Sequence, residues 1–227
     1  MARWVSLLIA LLSLGQTALN AYVAETNLGG NLFLANRAYT LDSEYVPEDL
    51  IHPEVLSAYP HIMLREEAAH ALEDMFAAAE NEQGYQLMAI SGYRSYRSQA
   101  NIYKRKLSTV KNERDAQLYV SPPGASEHQL GLAMDLGLKS KQNLRESFAF
   151  TKEGKWVAQN AHRFGFVIRY EKEWVDITGY AYEPWHIRYV GKEHADRMFE
   201  LKVPLETYVQ QLQQAAFGNY LPKGGKE

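Results

Sequence analysis

An α+β fold is predicted, one domain with a small, mainly antiparallel sheet flanked by helices, and three observations predict it. Segments with helical spacing of apolar residues are interspersed with short strand-like runs. The body contains no internal repeat and no linker. The 227 residues, 46% hydrophobic and 12% aromatic, suffice to bury a sizeable core.

The elements follow in chain order. Arg3 precedes the uncharged apolar run WVSLLIALLSL, Trp4 to Leu14, too short to span a bilayer comfortably but suited to a signal-peptide core. Residues 1–24 are therefore read as a signal peptide, with Ala18, Ala21 and Ala24 as small residues for cleavage, or else as an N-terminal anchor. Residues 25–63 form an extended arm, rich in turn formers and carrying the acidic string LDSEYVPEDL. The body spans 64–218, and 219–227 is a C-terminal tail.

Within the body, Leu64, Ala68, Leu72, Met75, Phe76 and Ala79 recur at helical spacing and predict a helix from Leu64 to Glu82. YQLMAISGY, Tyr85 to Tyr93, has strand length and composition. Ser95 is placed to cap a second, more polar helix reaching Val120. Gly131 to Leu138 reads as a short buried strand, and a helix runs from near Thr151 to Gly165. Two more strands are expected, Phe166 to Tyr170 and Trp185 to Gly191, followed by helices over Lys192 to Leu201 and Pro204 to Ala216.

Charge and composition remove several function classes. The net charge is −3, from 24 basic and 27 acidic residues mixed along the chain, so no basic face for nucleic acid is expected. The absence of cysteine excludes disulfides and thiolate chemistry and limits any metal site to imidazole, carboxylate and carbonyl ligands.

Chemistry concentrates in SEHQLGLAMDL, Ser126 to Leu136. A lone Asp135 in a buried strand is costly unless it is paired or binds a metal. His128 is near in sequence, and YEPWHIRYVG adds His186 with Glu183 three residues before it. Two histidines and an aspartate make a three-ligand set that leaves the fourth position of tetrahedral zinc open, as catalytic sites do. Glu183 would then be the base for a water attacking a carbonyl. A hydrogen-bonded polar core is the competing reading, and spacing alone leaves both open. In an unbroken strand Glu183 and His186 would face opposite sides, so Pro184 should mark a bend or the strand start. The remaining histidines, His52, His61, His70, His162 and His194, read as surface or capping residues. Trp185, Tyr180, Tyr182 and Tyr189 gather aromatic area near the site, mostly as packing, with Trp185 placed to shield a metal from water.

SEHQLGLAMDL fits S-x-H-x-x-G-x-A-x-D and EPWHIRYVG fits E-x-W-H-x-R-Y, and together with SGYRSYRSQ, WVAQNAHRFGFVIRY and ITGYAYEPWH they resemble the zinc D-alanyl-D-alanine carboxypeptidases of the VanY type. The resemblance covers about Tyr85 to Tyr208, with the motifs in the family's order. It implies a hedgehog/D-Ala-D-Ala-peptidase-like fold and makes 64–218 the catalytic domain. It implies Zn2+ on His128, Asp135 and His186, with Glu183 as catalytic acid/base. It also implies that Arg94 binds substrate near the scissile bond or its terminal carboxylate, with Gln99 and Ser126 in the same pocket. A planar guanidinium is physically suited to a free carboxylate.

The expected reaction is removal of the C-terminal D-Ala from a peptidoglycan stem pentapeptide, by an exported, monomeric enzyme that meets the membrane only through its N-terminal segment. Alternatives within the fold are an L,D-carboxypeptidase, a D,D-dipeptidase or a non-catalytic peptidoglycan-binding module. Outside it stands a structural exported domain with a polar core. STVK, Ser108 to Lys111, satisfies the S-x-x-K signature of serine penicillin-binding enzymes but lacks the companion S-D-N and K-T-G elements and falls inside a polar helix.

Overall fold

The computed structural model describes residues 16–139 and 144–217. The apolar run Trp4 to Leu14 and the tail 219–227 lie outside the described residues. Among those described, no helix is long and apolar enough to cross a membrane.

Two compact units are present, 34–204 and the pair of segments 16–33 and 205–217. In the smaller unit residues 16–26 are helical (α1), and Leu205–Phe217 forms the last helix among the described residues, α8. The Tyr22 and Phe217 rings meet edge to face at 5.7 Å.

The larger unit holds a four-stranded antiparallel sheet. Its strands are β3 (Leu87–Ser91), β4 (Ala133–Leu138), β5 (Phe166–Ile168) and β6 (His186–Tyr189), in the order β3-β4-β6-β5. A two-residue ladder pairs β1 (Leu50–Ile51) with β2 (Leu64–Arg65). Helix α2 (Glu66–Gln83) supplies much of the core, with Ala68, Leu72, Met75 and Ala79 fully buried at i, i+4, i+7 and i+11. Gly84 ends it in the left-handed conformation, φ 69°.

Several boundaries differ from expectation for local reasons. Leu64 is not helical, because its backbone is committed to the ladder with Ile51. The predicted helix from Ser95 to Val120 is two helices, α3 (Tyr96–Leu107) and α4 (Glu113–Tyr119). Between them the Ser108 and Thr109 hydroxyls donate to the Arg105 and Lys106 carbonyls at 2.7 and 2.8 Å. These hydroxyls compete for carbonyls at the helix end, and Asn112 starts α4 by accepting from the Asp115 amide at 2.9 Å. Ser108 of the S-x-x-K match therefore sits at the end of α3, not within a helix body. Ser95 caps α3 as expected, accepting from the Ser98 amide at 3.3 Å. The helix expected to reach Gly165 is α5 (Lys152–Asn160), capped by Thr151, and tightens to a 3-10 turn over Ala161–Phe164. Lys192–Leu201 forms α7. A short helix, α6 (Val175–Thr178), precedes the Tyr180 to Trp185 loop.

Candidate active site

The two central strands bring the candidate ligands together. Asp135 on β4 and His186 on β6 are directly opposed in the antiparallel register, so their side chains share one face. His128 comes from a 3-10 turn, Glu127–Leu130, just before β4. That turn ends at Gly131, φ 69°, a conformation that favours glycine, and a Cβ there would lie 2.8 Å from the end of the Leu50 side chain, which would have to move.

The geometry converges on the Asp135 carboxylate. His128 Nε2 lies 3.3 Å from Oδ2, and His186 Nδ1 lies 3.0 Å from Oδ1. The imidazoles meet edge to face, 5.0 Å between centroids. His128 Nδ1 is 2.8 Å from the Gly92 carbonyl, which can only accept, so Nδ1 carries the proton and the Nε2 lone pair faces the cluster. All three residues are buried, and one donor atom from each falls within 4.8 Å of the others. The donor set fits a divalent metal: two imidazoles and one carboxylate aimed at a common point, the ligand chemistry of catalytic zinc.

Glu183 stands beside this set, its Oε2 3.9 Å from His186 Nδ1. The strand starts at His186, and the His186 amide donates to the Glu183 carbonyl at 3.0 Å across a turn containing Pro184, the bend the sequence required. Burial and the Asp135 charge raise the Glu183 pKa to about 8, against the lowering pull of His186 and Arg94. Burial also disfavours ionised Asp135, but the two histidines outweigh it and hold its pKa well below the usual range. For His186 burial opposes protonation, yet hydrogen bonding to Asp135 and Glu127 lifts it to about 9.

Arg94 follows β3. A register shift between Ala89 and Ser91 sets Ser91 opposite Asp135. The Ser91 hydroxyl accepts from Arg94 Nη2 at 2.8 Å, and Gln99 Oε1 accepts from Nη1 at 2.7 Å. Arg94 Nη2 reaches within 3.7 Å of Asp135. Gln99 Nε2 donates to the Ser121 carbonyl at 2.6 Å, so its amide is engaged at both ends. Ser126 is buried at the start of the 3-10 turn, and Trp185 is half-buried.

A cavity of about 290 Å³ gathers all of these side chains: Arg94, Gln99, Ser126, His128, Asp135, Glu183, Trp185 and His186. Its outer wall includes Ile102 and Lys106 of α3 and Tyr119 to Ser121. A larger groove of about 520 Å³, between β5 and the end of α7, contains none of them and is mostly apolar. Convergent polar groups matter more than volume in locating a reaction centre, so the smaller cavity is the candidate site. Of the predicted aromatics, Tyr180 and Trp185 line it, whereas the Tyr189 hydroxyl turns away to Glu67 at 2.6 Å. Tyr170 was not anticipated, and its ring lies 5.0 Å from that of His186.

The larger omission in the sequence reading is Glu127. It is fully buried, and Arg169 Nε and Arg188 Nη1 each donate to its Oε1 at 2.8 Å. A signal was present: Arg169 and Arg188 interrupt apolar strand runs just as Asp135 does, and a buried arginine demands an anion.

Comparison with known proteins finds relatives that span most of the chain. The VanY family, described as D-alanyl-D-alanine carboxypeptidase, matches residues 61–192. YodJ of Bacillus subtilis (strain 168), whose carboxypeptidase name is itself provisional, is 46% identical over 80% of this chain and 67% of its own. A D-alanyl-D-alanine carboxypeptidase of Enterococcus faecium is 34% identical over 82% of this chain, which spans only 59% of that relative's length. Among solved structures, the LD-carboxypeptidase LdcB is 45% identical with a TM-score of 0.74, covering 82% of this chain and 87% of its own. The D,D-pentapeptidase VanY of a VanB-type resistance cassette, in complex with Zn(II), is 30% identical with a TM-score of 0.65, covering 79% and 98%. By motif order, fold and extent of match, the chain belongs to the VanY family of D-alanyl-D-alanine carboxypeptidases.

Proposed function

We propose that the protein is a zinc-dependent carboxypeptidase that releases the C-terminal D-alanine from an uncross-linked peptidoglycan stem peptide. The observation that carries this reading is the convergence of His128, Asp135 and His186 on one point with Glu183 alongside and a guanidinium in the same cavity.

When held by His128, Asp135 and His186, zinc supplies a Lewis acid that polarises the scissile carbonyl and lowers the pKa of water. Glu183 takes the proton from the attacking water and passes it to the nitrogen of the departing amino acid, a task suited to a buried carboxylate whose pKa is raised toward neutrality. Arg94, braced by Ser91 and Gln99, orients the substrate by charge-assisted hydrogen bonds to its carboxylate or the adjacent carbonyl. Trp185 limits water at the rim.

The pentapeptide ending in D-Ala-D-Ala is the first substrate of this reading. A second reading, cleavage of the L,D bond of a tetrapeptide, is favoured by the higher identity and TM-score with LdcB than with the D,D-pentapeptidase VanY. The test is D-alanine release from defined penta- and tetrapeptides by protein stripped with chelator and reloaded with zinc. Release that needs zinc supports the reaction, and the preferred peptide chooses the bond. No release from either peptide by zinc-bound protein would overturn it. Export belongs to the same reading, because stem peptides lie outside the cytoplasmic membrane and the run Trp4 to Leu14 suits a signal. Cell fractionation would test it.

A further inference from the structure

Glu127 has no part in the reaction just described, yet it is the most completely buried carboxylate near the site. Its side chain is 0% exposed, as is that of Arg188, and Arg169 is 1% exposed. An ionised carboxylate in such a place is retained only with full compensation, and two guanidiniums supply it. Both, however, donate to the same oxygen, Oε1. The other oxygen, Oε2, points at His186 Nε2 at 3.5 Å. Among the described residues, neither Oε2 nor Nε2 has a closer hydrogen-bond partner. The opposite nitrogen of the same ring, Nδ1, faces Asp135 and Glu183.

This arrangement parallels that of His128, whose outward nitrogen is occupied by the Gly92 carbonyl. In one histidine a backbone acceptor holds the proton on Nδ1 and turns Nε2 to the cluster. In the other a carboxylate stands where the proton would be held on Nε2, turning Nδ1 to the cluster. We infer that Glu127, kept ionised by Arg169 and Arg188, is the positioning residue that fixes the tautomer and ring orientation of His186 for metal binding. An imidazole that donates to a carboxylate is a stronger ligand than one that donates to a neutral group, and loss of such partners typically weakens metal binding 10–100-fold. The two arginines fit this role as well as that of structural ballast, since they occupy only Oε1 and leave Oε2 for the ring. Glu127 is one residue from a ligand, and the turn Glu127–Leu130 thereby delivers one ligand, His128, and the support of another.

The inference rests on the zinc reading, and the experiment separates the two. Zinc affinity is measured by chelator competition for wild type and for Glu127→Gln, which keeps the shape of the side chain. A glutamine that accepts from the arginines presents an amide donor to Nε2 and favours the wrong tautomer, so zinc should bind about 10–100-fold more weakly. If wild type takes up no stoichiometric zinc, the zinc reading itself falls. If wild type binds zinc and folded Glu127→Gln binds it equally well, only the role of Glu127 falls. Because Glu127→Gln leaves two arginines without their anion and risks misfolding, a second measurement uses the native protein. Nitrogen-15 histidine spectra of the zinc-loaded wild type should show His186 protonated at Nε2 and metal-bound through Nδ1. Metal on Nε2, or no proton there, would overturn the inference.

Discussion

The Gln99 amide is held by Arg94 on one side and the Ser121 carbonyl on the other, so any influence on a bound carboxylate passes through the guanidinium. Gln99→Leu should therefore raise KM about tenfold, as loss of one hydrogen bond to a charged group implies, with a smaller change in kcat. Steady-state kinetics on the preferred peptide checks this split. Glu183→Gln should behave differently, lowering kcat by about 10²- to 10⁴-fold while zinc content measured by metal analysis stays unchanged. Loss of zinc in that variant would make Glu183 a ligand rather than the proton carrier. The legibility of these residues follows from their settings. Asp135 stood out as a lone carboxylate in a buried strand and Glu183 by its position three residues before His186, with Pro184 as the bend that lets both reach one site. Glu127 did not stand out, since its burial depends on Arg169, just after β5, and Arg188 on β6 both reaching it, a pairing that only the sheet order creates. Gln99 was legible as a member of the pocket but not as a brace, because its partners lie on separate segments.

Elements place these side chains, and the most constrained of them is the turn between Glu127 and Gly131. Gly131 adopts φ 69°, its carbonyl accepts from the Arg65 amide at 2.8 Å, and a Cβ would press on Leu50. Gly131→Ala should cost about 1–3 kcal/mol through backbone strain and displacement of that side chain. Zinc binding should weaken as well, because the same turn carries His128. Thermal unfolding and chelator competition read the two effects. Thr151→Ala is the contrasting case: it removes the cap that accepts from the Gly154 amide at 2.9 Å, on a helix that carries none of the candidate ligands. It should cost about 1 kcal/mol and leave zinc affinity unchanged. At this scale long periodic runs were legible and their ends were not. The apolar spacing of α2 carried through, but its first residue went to a ladder with β1 that no local pattern announces. The polar stretch after Ser95 read as continuous helix because its charges are helix-compatible. The break came from Ser108 and Thr109 taking carbonyls and Asn112 offering a new cap.

For the molecule as a whole, the α+β class was legible because short β-rich runs and helical periods sit side by side in the chain, whereas the strand order β3-β4-β6-β5 was not, since pairing partners far apart leave no local trace. That order has a thermodynamic consequence. His128, Asp135 and His186 come from a turn and two strands that the folded sheet alone brings within reach, so the unfolded chain offers no comparable site. A ligand that binds only the folded state stabilises it by RT ln(1 + [L]/Kd), about 2.7 kcal/mol at one hundred times Kd. For a unit of this size each kcal/mol moves Tm by roughly 2–4 °C, so zinc at that excess should raise Tm by roughly 5–11 °C over the chelator-stripped protein. The increment should grow with the logarithm of zinc concentration and be lost in His186→Ala, which removes a ligand. A hydrogen-bonded polar core built from the same residues predicts no zinc-dependent shift, because Asp135 would then be neutralised by protonated imidazole and the nearby Arg94 and would gain nothing from a cation. Calorimetry across a zinc titration distinguishes the two, and a Tm independent of zinc would assign the cluster to core structure rather than to metal.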